Sequence, residues 1–570
     1  MKIRHLSIRN FRGIRALDCA MPANNLFCLI GRGDTTKSSI LEAIRYALFP
    51  MWTLSLDVFD FFGGDTTKPI CITVTLGDLP EEFHSDAKYG HVLRGWDSVN
   101  ARIVDEPGER LEEIISARLT VDGSFEPKWT VVCDRRDEGV TFTVADRQKA
   151  RATFIGTYAD RHLTWGKNTA LSRLTKSENI AAALANAAAA AKAALDDNRA
   201  TNLTKFDAAA KAAEKIARIY GVPVSEEGAY RANLDTAAVN IQLGGLSLHD
   251  KQIPVRTLGL GSRRMLTFGI EQNNLEEPHI TLIDEIEIGL EPHRIARLLK
   301  HLKGDGKGQY FLTTHSPVVL RELTVEDLYT VQSAGHETKV IAAAVPGLSE
   351  IIQGKVRAGA EAFLAANVIV CEGATEVGLG RGLDNLWMSA GGDPFSYTGT
   401  ALFDANGGSN VRSAAEAFVK LGYRVAAIVD SDAEDNFTEA DEQALEALGV
   451  CVVRWDGGVS IEQYLFLNLP WDKAIASVGL ARELRGDSVI EQVKHYYAGV
   501  DGDVTKWKES ADLRRAIAKA SMGNAKRQNA WFKRQSSAEQ WTSVIADCFD
   551  AAGTPLHSKI DKLKKWVFGG

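Results

Sequence analysis

The sequence predicts a multidomain α/β protein, and three observations support this prediction. The 570 residues exceed what a single hydrophobic core usually organises. Short strand patterns that end at glycine or aspartate fill residues 1–160, and buried apolar runs alternate with helical patterns from 367 to about 470. An alanine-rich stretch separates these parts, and its residues 181–194 include eleven alanines, the residue type that best forms helix. We therefore expect two or three domains.

The composition is that of a folded protein without an overall basic charge. Apolar residues make up 45% of the chain and charged residues 25%, and 66 lysines and arginines against 74 aspartates and glutamates give a net charge of −8. A nucleic acid would therefore be held by a local basic surface. The seven cysteines are scattered and never spaced as C-x-x-C, which argues against a disulfide framework or a zinc site. With no signal-peptide pattern at the amino end and no run of about 18 apolar residues, we expect a cytoplasmic protein.

Changes of pattern divide the chain into five segments. We predict a first α/β domain in two parts, 1–164 and 236–355, a helical insertion at 165–235, a second α/β domain at 356–480 and its helical carboxy-terminal extension at 481–570. Alanine buries little surface, so the inserted helices should gain stability mainly by packing on a partner helix. Both a dimerisation role and a solvent-exposed arm fit this insertion. The end of the chain, from 503, has 13 lysines and arginines against 7 acids, which fits either a nucleic-acid contact or a solvated face.

Residues 31–38, GRGDTTKS, nearly match the phosphate-binding pattern G-x-x-x-x-G-K-[ST]. A predicted buried strand, NLFCLI, precedes them and a predicted helix, SSILEAIRYALF, follows. In such a loop backbone N–H groups surround the phosphates, Lys37 would contact the outer phosphates, and the Ser38 hydroxyl would bind magnesium. Thr36 replaces the usual glycine and adds a Cβ near a phosphate, while Gly33 keeps one freely turning position. We expect nucleotide binding here, although short glycine-rich loops also arise by chance.

Two later apolar runs carry residues of related chemistry. Residues 279–292, HITLIDEIEIGLEP, form a predicted strand ending in Asp284 and Glu285, a pattern suited to holding magnesium and to positioning or deprotonating water. Taken alone, this run also fits a strand that enters a turn. Residues 309–317, QYFLTTHSP, form another predicted strand and bring His315, which by itself fits a structural cap.

Glycines at 257–266, TLGLGSRRML, lie between the loop and these acids and fit a tight helix start whose N–H groups suit a phosphate. The order of the motifs resembles the ABC-type ATPases of chromosome maintenance and repair, the SMC and RecF relatives. The resemblance implies the following positions: a Walker A motif at 31–38, a signature helix at 258–264, a Walker B motif at 280–285, a D-loop at 289–292 and a switch histidine at 315.

The stretch NFRGI, residues 10–14, also resembles the opening strand of those ATPases, in which Arg12 would approach the nucleotide. The resemblance as a whole implies these nucleotide-binding residues: Arg12, Gly31, Gly33, Thr36, Lys37, Ser38, Ser39, Gly261, Asp284, Glu285 and His315. Two heads sandwich ATP in this family, which implies a dimer. The chain departs from the family pattern at Thr36 and at Gly259, where the signature serine is usual, and we expect ATP binding with slow hydrolysis.

A second group of acids follows two buried strand patterns. The apolar run Val368-Ile369-Val370 leads into Glu372 and a helix that carries Glu376, and the run YRVAAIV leads into Asp430 and Asp432. Strand ends of an open parallel sheet gather at one edge, and alternate residues of an extended chain point the same way. Four such acids would repel one another unless cations neutralise them, and magnesium or manganese suits an all-oxygen site. Two solvated acidic turns are the alternative.

The pattern E-G-x-x-E followed by D-x-D resembles the Toprim domain, the metal-binding fold of primases, topoisomerases and some nucleases. No isolated tyrosine lies in a setting typical of a topoisomerase nucleophile, and no zinc module indicates a primase, which favours hydrolysis of a phosphodiester by two metal ions. VSIEQYLF resembles the segment that brings a further acid, Glu462, to the metals, although it also fits a helix start. HSKIDKLKKWVF resembles a carboxy-terminal segment whose lysine stabilises the scissile phosphate; Lys562 is our choice, with Lys559 or a solvated face as alternatives.

The whole chain resembles the OLD (overcoming lysogenization defect) family, in which an ABC-type ATPase with a helical dimerisation insertion precedes a Toprim domain with a helical carboxy-terminal extension. The lysine segment points to class 2, which includes the nuclease subunit of Gabija anti-phage defence. The resemblance implies metal-dependent DNA cleavage with Mg²⁺ or Mn²⁺, control by ATP with Mg²⁺, a homodimer or higher homo-oligomer, and often a UvrD-like helicase as partner. The catalytic residues implied are Glu372, Glu376, Asp430, Asp432, Glu462, Lys562 and, in the ATPase, Glu285; the metal ligands implied are Glu372, Glu376, Asp430, Asp432, Glu462, Ser38 and Asp284.

Three hypotheses remain from the sequence. The first is a DNA endonuclease whose ATPase controls access to the Toprim site, in defence or DNA repair. The second is an ATP-gated DNA clamp or scaffold with an inert Toprim fold. The third keeps the chemistry but has RNA as the target, because a two-metal site attacks a phosphodiester without needing the 2′-hydroxyl.

Overall fold

The structure is a computed structural model that describes most of the chain. The described residues are 1–21, 24–50, 53–150, 152–156, 163, 171, 180–197, 204–219, 224–227, 229–230, 247–273, 279–334, 337–432, 436–523, 529–551 and 553–569. They form two compact units: residues 1–154, 279–287 and 295–570 make up the first, and residues 155–278 and 288–294 make up the second. Both ends of the predicted insertion at 165–235 lie outside the described residues.

Most strands of the first unit belong to one large mixed sheet. Its strands are β1 (Lys2–Phe11), β2 (Ile14–Ala20), β3 (Leu26–Ile30), β4 (Ile70–Gly77), β5 (Arg94–Asp97), β6 (Arg102–Val104), β7 (Glu112–Val121), β8 (Pro127–Val132), β9 (Val140–Thr141), β10 (Ala152–Ile155), β13 (His279–Ile283), β14 (Gly308–Thr313), β15 (Leu328–Ala334) and β16 (Glu337–Ala342). The strand order is β10-β13-β14-β3-β15-β16-β2-β1-β4-β7-β5-β6, with β8 on β7 and β9 on β8.

The sheet has a parallel centre and an antiparallel half. Strands β13, β14, β3 and β15 pair in parallel, whereas β1, β2, β4 and β7 pair antiparallel. All five residues of β3 are buried, as expected for a strand that is covered on both faces. Because parallel strands end at the same edge, this centre places the residues that follow β3, β13 and β14 close together.

Helices α1, α2, α6, α7 and α8 accompany this sheet along the chain. Their bounds are α1 (Lys37–Ala47), α2 (Val144–Lys149), α6 (Pro292–Gly304), α7 (Pro317–Glu322) and α8 (Ser349–Ala358). The buried side of α1, including Ile40, Leu41 and Ile44, joins the main core of the sheet. The predicted helix after the phosphate loop is thereby confirmed.

The second part of the first unit is a four-stranded parallel sheet with helices. The strands are β17 (Asn367–Cys371), β18 (Thr400–Asp404), β19 (Arg424–Val429) and β20 (Cys451–Arg454), in the order β18-β17-β19-β20. The helices are α9 (Ala374–Ser389), α10 (Val411–Lys420), α11 (Glu439–Ala447), α12 (Ile461–Asn468), α13 (Trp471–Arg485), α14 (Ser488–Tyr496), α15 (Ala511–Ser521), α16 (Gln535–Val544) and α17 (Pro555–Phe568).

The carboxy-terminal helices share one core with this sheet. Strand residue Ile369 belongs to the same buried cluster as Trp541 of α16 and Leu563 of α17. Stacked aromatic rings, with 4.2 Å between the Phe532 and Trp541 centroids, fix the chain just before α16. The extension therefore forms part of the folded domain.

Helix α17 covers strand β20 at the edge of this sheet. The Lys562 amine donates to the Val452 carbonyl at 2.8 Å, and the Lys559 amine donates to the Arg454 carbonyl at 2.6 Å. These are alternate carbonyls of the edge strand, which would otherwise face solvent and could pair with another strand. The two lysines thus close the edge.

The second unit is mainly helical in its described residues. It contains α3 (Ile180–Asp197), α4 (Thr204–Ile219), the short strands β11 (His249–Asp250) and β12 (Ile253–Pro254), and α5 (Leu260–Asn273). The two alanine-rich helices predicted from composition are confirmed. Around Val255 and Ile270 a small apolar cluster holds this unit together. No described helix of the chain is both long and apolar enough to span a membrane.

Close packing of α9 against α16 predicts an unequal response to glycine substitution. A Cβ at Gly378 would lie 2.5 Å from the Ala538 Cβ and closer still to the Gln535 carbonyl oxygen, whereas nothing lies within 4 Å of a Cβ at Gly479 on α13. We expect Gly378→Ala to lower the free energy of unfolding by about 1–3 kcal/mol through overpacking. Gly479→Ala, the matched control, should raise it by roughly 0.5–1 kcal/mol. Denaturant unfolding curves measure both effects, and equal stability of the two variants would contradict the packing.

Candidate functional site

The predicted phosphate loop lies between buried strand β3 and helix α1, as the sequence indicated. Gly31 has φ of +136°, and a Cβ there would lie 2.8 Å from the Val331 carbonyl oxygen of neighbouring strand β15. Only glycine fits this close approach. Gly33 has open space around its Cβ position, and Ser39 lies in the first turn of α1. The loop thus ends where the backbone N–H groups at the start of α1 are available to a phosphate.

Thr36, the residue that breaks the usual motif, stands in the left-handed region with φ of +67° and caps α1. A left-handed conformation costs a residue other than glycine about 1–2 kcal/mol, and a β-branched side chain is the least suited to it. Thr36 therefore has a backbone conformation that is usual for glycine. Its methyl group also requires glycine at position 13, because a Cβ at Gly13 would lie 2.9 Å from the methyl carbon.

Lys37 is buried and its amine hydrogen-bonds inside the loop. It donates to the Gly31 carbonyl at 3.0 Å, to the Arg32 carbonyl at 2.6 Å and to the Thr35 hydroxyl at 3.3 Å. Burial lowers the pKa of Lys37 to about 8, partly offset by the nearby acids, Asp34 first. The amine is thus held where an outer phosphate would provide the negative charge that favours its protonated form.

The Walker B aspartate and the loop serine meet in the structure. The Asp284 carboxylate accepts from the Ser38 hydroxyl at 2.9 Å and from the Thr313 hydroxyl at 2.6 Å. A hydroxyl and a carboxylate at this distance are the oxygen donors that Mg²⁺ takes beside phosphates, so the residues present fit an ATP–magnesium complex. Glu285 follows in the left-handed region at φ of +47°, and its N–H donates to the Thr313 hydroxyl at 2.8 Å.

Glu287 is a residue of this site that the sequence analysis missed. Its carboxylate accepts from the His315 N–H at 2.7 Å and from the Thr314 hydroxyl at 2.8 Å. It thereby fixes the turn that carries His315, whose pKa is lowered by burial and by the charge of Lys37. Its spacing two residues after Glu285 was the available signal, since the run DEIEIG places a third acid close behind Asp284 and Glu285.

Arg12 lies beside the loop, next to Gly13, and is held by other side chains. Its Nε donates to the Asp60 carboxylate at 2.9 Å and its guanidinium donates to the Tyr46 hydroxyl at 3.2 Å. Gly261, the signature glycine, lies in the second unit, where the backbone of Gly289 in the predicted D-loop leaves no room for a Cβ. The nucleotide roles of both residues remain predictions.

The Toprim acids gather at the carboxyl edge of the four-stranded sheet. Glu372 follows β17, and Asp430 and Asp432 follow the adjacent strand β19; each offers a carboxylate oxygen, and these oxygens lie within 4.8 Å of one another. The Asp430 N–H donates to the Glu372 carboxylate at 2.9 Å. The Ile461 N–H at the start of α12 donates to the Asp430 carboxylate at 2.8 Å, which ties the helix of Glu462 to the same place.

Glu376 and Glu462 complete the acidic cluster from two helix starts. Glu376 accepts from the Gly373 N–H at 2.9 Å, which caps α9, and Glu462 accepts from the Thr375 hydroxyl at 2.9 Å. Both side chains are buried. Glu376 lies on the predicted helix, and Glu462 lies at a helix start, which the sequence analysis gave as the alternative to a metal ligand; the structure also brings Glu462 to the cluster.

A buried lysine faces these carboxylates. The Lys533 ammonium lies 3.0 Å from Glu462, and its pKa is raised, because the attraction of Glu462, Glu376 and Asp430 outweighs its burial. Burial raises the pKa of Glu376 to about 8, and burial together with the charges of Glu376 and Glu462 raises that of Asp430. The pKa of Glu462 is lowered although it is buried, because Lys533 is its direct partner.

Unsatisfied carboxylate oxygens in the cluster are suited to bind divalent cations. One carboxylate oxygen each of Glu376, Asp430 and Glu462 is buried and has no hydrogen-bond partner among the residues that the structure describes. A buried acceptor without a partner costs about 1–3 kcal/mol, and more when it is charged. A divalent cation is the partner that several converging carboxylates take, so the donor set fits Mg²⁺ or Mn²⁺.

Comparisons with known proteins assign both parts of the chain. A family model described as "AAA domain, putative AbiEii toxin, Type IV TA system" matches residues 26–321, which is more than half of the chain. A model described as "Overcoming lysogenization defect protein-like, TOPRIM domain" matches residues 363–432. The chain belongs to the OLD family. It is an ATPase domain followed by a Toprim domain, as the motifs indicated.

Other comparisons add little to the OLD assignment. The solved Smc head domain from Pyrococcus furiosus, which carries an extended coiled coil and is bound to the C-terminal domain of ScpA, shares 12% identity over 60% of this chain and 95% of that chain, with a TM-score of 0.32. The chain matches none of the curated proteins.

The structure places Lys533 at the Toprim carboxylates of this OLD-family protein, and the catalytic role chosen from sequence for Lys562 stays a prediction. The Lys562 amine contacts the Val452 carbonyl and, at 3.4 Å, Glu446, and Lys559 contacts Asp456 at 3.0 Å as well as the edge strand. The lysine at the carboxylates is Lys533 instead. The surrounding sequence, AWFKRQ, does contain a signal. The aromatic residues Trp531 and Phe532 precede the lysine, and they anchor the backbone in the core.

The crowding of these carboxylates predicts how metal and mutation affect stability. Because the pKa of Asp430 is raised, folding has either to protonate this acid or to bury its charge; Asp430→Asn removes that cost, so we expect it to raise the melting temperature of metal-free protein at neutral pH. Millimolar Mn²⁺ should stabilise the wild type by about 2.7 kcal/mol at 100 times its dissociation constant and should not stabilise the variant.

Thermal melts in EDTA and in Mn²⁺ measure both effects. Asp547→Asn, at a carboxylate whose side chain is 81% exposed, serves as the control and should change neither. If Mn²⁺ leaves the melting temperature of the wild type unchanged, the interpretation of the cluster as a metal site is wrong.

Proposed function

We propose that this OLD-family protein is a metal-dependent DNA endonuclease whose ABC-type ATPase regulates nicking or cleavage at the Toprim site. The observation that carries the proposal is the convergence of carboxylate oxygens of Glu372, Asp430 and Asp432 within 4.8 Å of one another, next to buried Glu376 and the Glu462–Lys533 pair. A purely structural role gives no reason to collect so many carboxylates in one place. Hydrolysis of a phosphodiester gives every one of these groups a use.

Each group would have a distinct role in that reaction. Glu372, Asp430 and Asp432 would hold Mg²⁺ or Mn²⁺, with Glu376 and Glu462 as further oxygen donors, and such ions activate a water and neutralise the leaving oxygen when bound. Lys533 keeps its proton because its pKa is raised, so it would donate a hydrogen bond to a non-bridging phosphate oxygen as negative charge develops. Thr375 and the Ile461 N–H orient Glu462 and Asp430 without touching the substrate.

The ATPase part would bind ATP with Mg²⁺ through the loop at 31–39, Asp284 and Glu285. The strain at Thr36 and the absence of the usual signature serine at Gly259 support slow hydrolysis with binding retained. Together with the family resemblance, this supports a nucleotide-controlled switch in a homodimer or larger homo-oligomer. We assign the protein to class 2 of the family, with a role in anti-phage defence or DNA repair and a UvrD-like helicase as a candidate partner.

Cleavage of supercoiled plasmid in Mg²⁺, Mn²⁺ or Ca²⁺ tests the nuclease assignment. Wild type should nick or linearise plasmid in Mg²⁺ or Mn²⁺, and Asp430→Ala should abolish the activity. Lys533→Met should slow it by about 10²–10³-fold, the usual effect of losing one donor to a developing negative charge, while the Mn²⁺-induced rise in melting temperature persists. Asp547→Ala and Lys564→Met are the controls, and both should cleave normally.

The alternatives give different results in the same assay. Intact plasmid with all metals, together with DNA binding, would support the clamp or scaffold. Cleavage of RNA but not of plasmid would support an RNA nuclease. Loss of turnover in Lys562→Met but not in Lys533→Met would reverse the assignment of the lysine.

The nucleotide site predicts a separable effect on the same activity. Lys37→Ala removes the buried amine that would contact the outer phosphates, so ATP should bind at least tenfold more weakly, because a hydrogen bond to a charged group contributes about 1.5–3 kcal/mol. Any effect of ATP on plasmid cleavage should disappear, and cleavage without ATP should remain. Lys68→Ala, whose side chain is 72% exposed, is the control. Persistence of both nucleotide binding and the ATP effect in Lys37→Ala would show that the loop has been misassigned.

A further inference from the structure

An open groove of about 700 Å³ lies beside the Toprim acids. The turn after strand β20 and helix α17 form most of its walls. Its lining includes Ser431, the residue between Asp430 and Asp432, so the groove is continuous in sequence and space with the metal-binding turn. Neither the family comparisons nor the proposed chemistry assigns this surface a role.

The wall of the groove offers hydrogen-bond donors that lack acceptors. Gly457 and Gly458 have φ of +92° and +66°, and open space surrounds the Cβ position of each. Their exposed N–H groups donate to no acceptor among the described residues. The neighbouring Arg454 Nε and Trp455 Nε1 are buried and also have no acceptor there. Two consecutive glycines with free N–H groups are a backbone arrangement that accepts a close anionic ligand.

Cations line the groove, and each has an acid as neighbour. Arg454 pairs with Glu442, Lys559 with Asp456, Lys562 with Glu446 and Lys565 with Asp561, so these charges balance in the free protein. Lys565 pairs with Asp561 at 2.7 Å, but its side chain is 77% exposed, so this pair contributes little and is readily exchanged. A ligand for this groove therefore has to supply hydrogen-bond acceptors and a negative group that can replace Asp561 on Lys565, and a phosphodiester backbone supplies both.

We propose that this groove holds the backbone of the DNA strand that adjoins the scissile phosphate. The proposal rests on the proposed nuclease function, because a strand cleaved at Asp430 and Asp432 has to leave the metal site along an adjoining surface. Gly457 and Gly458 would donate to one phosphate, and Lys565 would contact another further along α17. This arrangement also gives a role to the excess of positive charge at the carboxyl end of an acidic chain.

Binding of a fluorescein-labelled DNA duplex by the full-length protein in Ca²⁺ tests the groove. Lys565→Glu should weaken binding by roughly tenfold, because a hydrogen bond to a charged group contributes about 1.5–3 kcal/mol. The slope of log K against log salt concentration should become shallower by about one, the contribution of one phosphate contact. Lys564→Glu is the matched control on the same helix, since its side chain lies over the Trp387 ring and outside this groove. It should bind DNA as the wild type does.

A plasmid cleavage assay in Mn²⁺ on the same proteins separates the two proposals. If the wild type cleaves plasmid and Lys565→Glu binds DNA with unchanged affinity and salt slope, the groove is refuted and the nuclease stands. If the wild type binds DNA through Lys565 without cleaving it, the nuclease function fails and the binding groove remains. An RNA of the same length that binds more tightly than DNA, and loses affinity in Lys565→Glu, would overturn the choice of DNA.

Discussion

Mutual repulsion among buried carboxylates is the constraint on which the Toprim site depends. The fold brings Glu372, Glu376, Asp430 and Glu462 out of water beside one another, and Asp432 joins them at the edge. Charges in such a place either become protonated or acquire cations as partners. Lys533 provides a buried positive charge beside these acids and pairs directly with Glu462. Carboxylates that converge in this way are the oxygen donors expected of a divalent-metal site.

The two sheets of the first unit use the same geometric device for different ligands. In the ATPase sheet, parallel strands β3, β13 and β14 end at the loop lysine, at Asp284 and at His315. In the Toprim sheet, parallel strands β17 and β19 end at Glu372 and at Asp430. Open α/β sheets bind ligands at the carboxyl ends of their strands, because residues distant in sequence meet there without distorting the strands. This explains why acids 58 positions apart, at 372 and 430, share hydrogen bonds.

Sequence patterns predicted the elements of both sites well, since the signal for each was local. Strands β3, β13, β17 and β19 appear where apolar runs precede glycine or acid, β14 appears in the apolar run before His315, and the acids at 372 and 430 are adjacent as expected. The lysine could not be chosen this way, because the position of Lys533 depends on the stacking of Phe532 with Trp541 and on the packing of glycines in α9 against α16. Lys562 has the right composition around it, but its helix lies across an edge strand. The left-handed backbone conformation of Thr36 could not be predicted from the sequence either, because the loop sets it and not the residue type.

Contacts inside the first unit connect the two sheets between the strand beside the phosphate loop and the start of β19. Strand β15 pairs with the strand of the phosphate loop, and its Thr330 hydroxyl donates to the Leu421 carbonyl at 3.1 Å. Leu421 and Gly422 form the turn before β19, the strand that ends at Asp430, and a Cβ at Gly422 would lie 2.9 Å from Gln332 on β15. Packed interiors move as discrete rearrangements and not by continuous deformation. A displacement of β15 at the nucleotide loop therefore has to move with, or break contact with, the turn that leads into β19, the strand whose other end holds the Toprim aspartates.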